Sequence, residues 1–267
     1  MKDFEFDGKT LSSFGCVVAN FGDKGLETID GIKSTFNTVS TLSGSKSELT
    51  SVEYEDNLEK TIQIVKYDCS TDIQEITEVE YRNLTSWLCR KKYLKFKVLD
   101  GRNIDLYHEV KIDVSKIEID DKLYGLELTI QSNRPYALKE PKTITIKNIE
   151  IDGKHSINDT SYEEGHIYPK VEITIGDIGT EKKTLIIYNE IENRKTTIKN
   201  CVANEVITMD YPVIESNNET HNKTLQNDFN WNFFRIANTY ENSRNDLTIS
   251  LPCSIKIEYS PIVKVGL

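Results

Sequence analysis

Three residues in "SYEEGHIYP" (161–169), Glu163, Glu164 and His166, are of types and spacing that could do chemistry. Paired carboxylates can serve as general acid and base, and carboxylates with an imidazole can hold a metal ion. The local pattern argues against both. Adjacent glutamates in extended chain point to opposite faces, and no second histidine stands at metal-ligand spacing. A polar loop ahead of a strand beginning at Pro169 is the simpler reading. His108 and His155 lie in strand-like runs without a Cys or Ser placed as nucleophile. The sequence has no GxGxxG, Walker loop, HExxH or GxSxG, so no catalytic residue, cofactor or metal site is assigned.

A second stretch, "NDFNWNFFRI" (227–236), alternates Phe229, Trp231 and Phe233 on one face with Asn230, Asn232 and Phe234 on the other. Trp with Asn and Arg235 is a combination that can stack on a pyranose ring and hydrogen-bond its hydroxyls. Trp231 and Arg235 are therefore candidate glycan contacts. With one strand and no second polar cluster converging on it, Trp231 packed between two sheets is the plainer expectation.

Most of the chain alternates with period two, as half-buried strands do. Such runs are "TIQIVKY" (61–67), "YLKFKVL" (93–99), "LELTI" (126–130), "TITIKNIEI" (143–151), "VEITI" (171–175), "TLIIY" (184–188), "EVITMD" (205–210), "LTISL" (247–251) and "SIKIEY" (254–259). Asp100-Gly101 reads as a two-residue hairpin, and Asp152-Gly153 and Gly176-Asp177 as further turns. One segment differs. In "ITEVEYRNLTSWLCRKK" (76–92), Tyr81, Leu84, Trp87 and Leu88 form a helical stripe. Thr77 and Glu80 are spaced as a capping box, Ile76 and Tyr81 as a hydrophobic staple, and Arg90 to Lys92 would suit the end of the helix dipole. The spacing predicts a helix over 77–90. Pro135 and Pro141 in "SNRPYALKEP" interrupt two alternating runs, giving domains at 1–137 and 143–267 with a linker at 138–142.

With 43 acidic against 33 basic residues, a net charge of −10 and only seven scattered Arg, the chain is a poor binder of phosphate backbones. Five widely spaced cysteines, with no CxxC, read as buried thiols in a reducing compartment. No signal-like apolar start and no run of about 18 apolar residues is present, so synthesis in cytoplasm and no membrane span are expected.

Together these stretches resemble the distal tail proteins of long-tailed phages and prophage tail particles. The opening "FEFDGKTLSSFGCVV" (4–18), with Gly8, Phe14 and Gly15, is similar to that family's first strands. Trp87-Leu88 followed by "YLKF" and Asp100 resembles its helix-to-hairpin step, and "LTIQSNRPYA", with Pro135 and Tyr136, its exit from the first domain. "HIYPKVEI", "IIYNEIENRKTTI", "NEVITMDYP", "FNWNFFRI" and "NDLTISLPCSIKIEY" follow the order of its second domain, which includes Trp231. Residues 34–58 carry no motif that matches.

The resemblance implies a mainly β fold: a β-sandwich or split-barrel-like N-terminal domain with one helix, then a galectin-like β-sandwich. It also implies a homo-hexameric ring at the virion tail tip. That ring would join the tail tube protein to the hub or tail-associated lysin and to receptor-binding proteins, and DNA would pass through without being gripped. By analogy, Phe4, Phe6, Asp100 and Gly101 are the candidate ring contacts. A carbohydrate-binding adhesin, and a wall hydrolase using Glu163 or Glu164, are the readings from other classes.

Overall fold

The computed structural model describes residues 3–19, 32, 34–40, 47–54, 57–68, 71–99, 103–239 and 241–266. Antiparallel strands dominate, and the chain divides into two compact units, Met1–Lys139 with Val263–Leu267, and Glu140–Ile262.

The main sheet of the first unit runs, in spatial order, Lys9–Thr10, Phe4–Phe6, Leu94–Val98, Leu106–Ile119, Lys122–Ser132, Glu59–Asp68 and Cys16–Ala19. Its first turn is an Asp-Gly pair. Phe6 pairs with Lys9, and Asp7 and Gly8 between them have φ of 51° and 73°. Two positive φ angles make a type I′ turn, whose twist suits paired strands and whose second position favours Gly. Asp100 and Gly101, the pair expected to do this, lie outside the described residues. Leu94–Val98 and Leu106–Ile119 pair antiparallel, with Phe96 opposite His108.

Helix α1, Glu78–Leu88, begins with the expected capping box: the Thr77 hydroxyl accepts from the Glu80 N–H, and the Glu80 carboxylate accepts from the Thr77 N–H. Leu84, Trp87 and Leu88 are buried on one face, and Ile76 is buried ahead of the cap. Burial of side chains this size stabilises by about 1.5–3 kcal/mol each. The Trp87 Nε1–H donates to the Phe6 carbonyl at 2.8 Å, and Phe14 stacks on the indole at 4.4 Å. The cations fall short of their expected place. The last turn of α1 has no basic residue, and Arg90 instead pairs with Asp7 at 3.2 Å.

The joint is almost continuous strand. Ala137–Lys139 pairs with Leu106 and Tyr107, and the next strand starts at Lys142. Ala137 and Leu138 are buried, which ties down backbone that would otherwise be solvated. Val263 packs with Leu106 and Ala137, so the chain end belongs to the first unit and does not close the second.

The second unit has a five-stranded sheet, Lys142–Asn148, Cys253–Tyr259, Lys170–Ile175, Val206–Asp210, Val213–Ser216, and a four-stranded one, Gly153–Asn158, Arg244–Ile249, Lys183–Asn189, Arg194–Cys201. Inward-facing residues of both build one core, as in a β-sandwich. The Asp152-Gly153 turn carries the chain from one sheet to the other. Buried Asn148 holds that crossing: its Nδ2 donates to the carbonyls of Glu150 and Leu251, both at 2.7 Å, and its Oδ1 meets His155 Nε2 at 2.9 Å. Its strand stops there, leaving Ile149 and Ile151 exposed.

A second helix, α2 (Glu219–Asp228), escaped the sequence pattern because it buries only His221 and Leu225. Its anchor is polar. The Asn218 side chain accepts from the N–H groups of Thr220 and His221, and His221 Nδ1 lies 2.5 Å from buried Glu205. Cys16, Cys201 and Cys253 are buried, and burial pushes their thiols up, to about 11 for Cys16 and about 12 for the others. Cys89 is exposed, contrary to the expectation of buried thiols, and Cys69 is outside the described residues. No helix among the described residues is long and apolar enough to cross a membrane.

Candidate functional site

Glu163 and Glu164 precede the short strand Gly165–Ile167, which pairs with Ile236–Asn238. Glu163 is half-buried, while Glu164 and His166 are exposed. His166 lies edge-on to Tyr168, and partial burial and then Arg235 lower its pKa. Among the described residues no group of three or more His, Cys, Asp or Glu is placed to hold a metal. His108 is a buried strand residue whose pKa burial alone lowers to about 4, so it sits neutral in the core.

The unmatched region 34–58 contains a conspicuous surface. Ser34–Ser40 and Ser47–Tyr54 form a two-stranded sheet of their own. Apart from Ser34 and Tyr54 every residue of the two strands is exposed. Phe36 faces Val52, and beyond a bulge Thr38 faces Leu49, so Phe36, Leu49 and Val52 share one side. Phe36 is 62% exposed. At the base, Tyr54 meets Tyr136 edge-to-face at 6.3 Å. Isolated hairpins are marginal in water, and an apolar stripe on one marks an interaction surface.

The proposed ring contacts fare differently. Phe4 and Phe6 are fully buried in the core of their own unit, against Trp87 and Phe96. Their strand is flanked on both sides, by Lys9–Thr10 and Leu94–Val98, so neither side chains nor strand edge is open to a neighbour. Alternation cannot distinguish an inward from an outward face, and the helix decided it here. The other motif residues have local tasks. Gly15 caps the 3₁₀ turn Leu11–Phe14 with φ of 67°, and Pro135 leads into the Tyr136 contact.

The aromatic stretch 229–235 is irregular chain and not a strand. Phe229, Phe233 and Phe234 are buried, but Trp231 is 57% exposed, against the expectation that it packs between sheets. Its φ of 59° turns the side chain out. Asn230 holds this bend: its Oδ1 accepts from the N–H groups of Thr197 and Asn232, and its Nδ2 donates to the Lys195 carbonyl. The Trp231 Nε1–H donates to Gln226 O at 3.1 Å. Tyr211, also exposed, stacks on Tyr168 at 4.3 Å and meets Phe233, the ring that Trp231 also touches, edge-on at 5.3 Å. Arg235 is half-buried and clasped by Glu192, with Nε to Oε2 at 2.9 Å and Nη2 to Oε1 at 2.5 Å.

Residues 1–134 match a family model described as a phage tail protein N-terminal domain, and residues 136–259 one described as a phage tail C-terminal domain. The chain belongs to this phage tail protein family. No curated protein matches it. Among solved structures the tail protein is similar to Dit of phage SPP1, described as a paradigm of the hub adsorption apparatus in phages infecting Gram-positive bacteria. Identity is 9%, the TM-score is 0.61, and the match covers 97% of this chain and 99% of that one. A chain of the phage P2 baseplate, in its activated conformation with Ca, is 11% identical with a TM-score of 0.50, covering 97% and 98%. At such identities the likeness is one of fold. The tail protein has the mainly β, two-domain fold of Dit.

Proposed function

We propose that this tail protein is a non-enzymatic structural part that assembles with copies of itself into a ring, sixfold by the resemblance, at the distal end of the tail tube. The first unit forms the ring and the second stands outside it. The ring joins the tube to the hub and host-recognition proteins, and DNA crosses its channel without being bound.

The hairpin Ser34–Ser40/Ser47–Tyr54 carries this reading. A ring needs a heterologous contact, in which one surface of each copy meets a different surface of the next. A hairpin with Phe36, Leu49 and Val52 on one side, each at least half exposed, supports such a contact. The net charge of −10 supports a conduit that repels phosphates.

Light scattering across a concentration range, with negative-stain images of the same sample, tests it. Rings with outer lobes are expected, and Phe36→Ser with Leu49→Ser should leave folded monomers melting like the parent. A protein that stays monomeric at every concentration, with tube and hub proteins present, would sink the proposal.

A further inference from the structure

We propose that Trp231 and Tyr211 form a binding platform for a neutral saccharide on the second unit, independent of the ring. Two aromatic faces open to solvent border one buried cluster. Trp231 touches Phe233 and Phe229 at 6.4 and 5.8 Å between ring centroids, and Tyr211 touches Phe233 at 5.3 Å. Both are 56–57% exposed.

Neither ring is loose. Tyr211 is backed by Tyr168, and the Trp231 edge is fixed by Gln226 O, so each presents a set face at small entropic cost. A left-handed backbone is strained at a bulky residue. At Trp231 that conformation turns the indole outward and leaves more than half of it exposed. Such an outlier is a reason to look for a ligand.

Size and charge say which ligand. Two half-exposed aromatic rings offer about 200 Å² of apolar face, taking 150–250 Å² for a whole side chain. A stable protein interface needs about 800 Å² per partner. One or two pyranose rings, whose C–H faces stack on aromatics, fit the smaller figure. Arg235 and Glu192 neutralise one another beside Tyr168, whose hydroxyl lies 3.5 Å from Arg235 Nη1. The rim thus holds donors and acceptors for hydroxyls, with Arg194 Nε also at 3.4 Å from the Phe233 carbonyl, and the chain's net charge of −10 favours a neutral sugar over an anionic polymer.

The two tryptophans make the test direct, because Trp87 is buried at 2% exposure and Trp231 is not. The full chain is titrated with maltohexaose, cellohexaose and chitohexaose, following indole emission. A saturable blue shift with at least one sugar is expected. Trp231→Ala should abolish it, and Tyr211→Ala should weaken binding at least tenfold as read by ligand-observed NMR. Thermal melts of both variants check folding, and the Tyr211 variant, which keeps the indole and its hydrogen bond, serves if Trp231→Ala does not fold. No saturable response to any of the three up to about 10 mM, a range that reaches binding of roughly −3 kcal/mol, overturns the proposal. So does binding that survives both substitutions. A Trp231→Ala protein that fails to assemble while sugars have no effect on the parent assigns the patch to a protein partner and also overturns it.

Discussion

The protein has two tryptophans, and they are opposites. Trp87 projects from the last turns of a helix into a nest of Phe4, Phe6 and Phe14, with its N–H bonded to a strand carbonyl of another element. Trp231 sits on irregular chain, bends outward through a left-handed backbone, and bonds its N–H to a residue five positions away. One indole ties distant parts of the chain together, and the other is displayed. The same residue type is a core element where a regular stripe aims it inward, and a surface feature where local turn chemistry aims it out.

Removing each ring should separate the two roles most clearly. Trp87→Ala is expected to destabilise the first unit by about 3–5 kcal/mol, through lost packing and the lost hydrogen bond to the Phe6 carbonyl. Trp231→Ala should cost about 1 kcal/mol or less in the same urea melts, as a surface change does. Equal losses would break the contrast.

Burial can be tested with protons as well. His108 is in the core, and its folded pKa of about 4 lies below the ordinary 6.5. The unfolded chain therefore binds the extra proton first, so stability falls as pH drops from about 6.5 to about 4, by on the order of a few kcal/mol. In His108→Gln that share of the decline should vanish from paired melts, while the carboxylate contributions stay common to both proteins.

Smaller effects sharpen the picture of the helix that places Trp87. Thr77→Ala removes the N-cap and should cost about 1 kcal/mol by denaturant titration. Glu80 has its pKa lowered from 4.5 to about 2, first by the Lys66 hydrogen bond at 2.7 Å and then by the Thr77 N–H. A depressed carboxylate stabilises above its unfolded pKa, and that contribution disappears as pH falls from about 4.5 through about 2. Glu80 is partly exposed, so solvent screens the effect and keeps it small. The stability difference between the parent and Glu80→Gln should narrow over that window and be constant above it.

Period-two alternation located all nine strands it named, and the capping box located α1, because those signals are local and repeat along the chain. Helix α2 was not legible: its hold on the unit is Glu205 with His221 and one leucine, a pairing across 16 positions that leaves no stripe. The hairpin 34–54 was hidden for the opposite reason. Its residues alternate weakly, and its exposed Phe36 and Leu49 have no place in the core of the chain they belong to.

By itself the sequence determined the class of fold, the strands, the first helix with its cap, and an acid-rich surface, all of which follow from local spacing and composition. Tertiary structure alone decided which face of each element is inside. It turned Phe4 and Phe6 from candidate contacts into core, put Trp231 on the surface, and left one hairpin uncovered. Alternation gives two faces to every strand, and only what packs against them determines which one meets water.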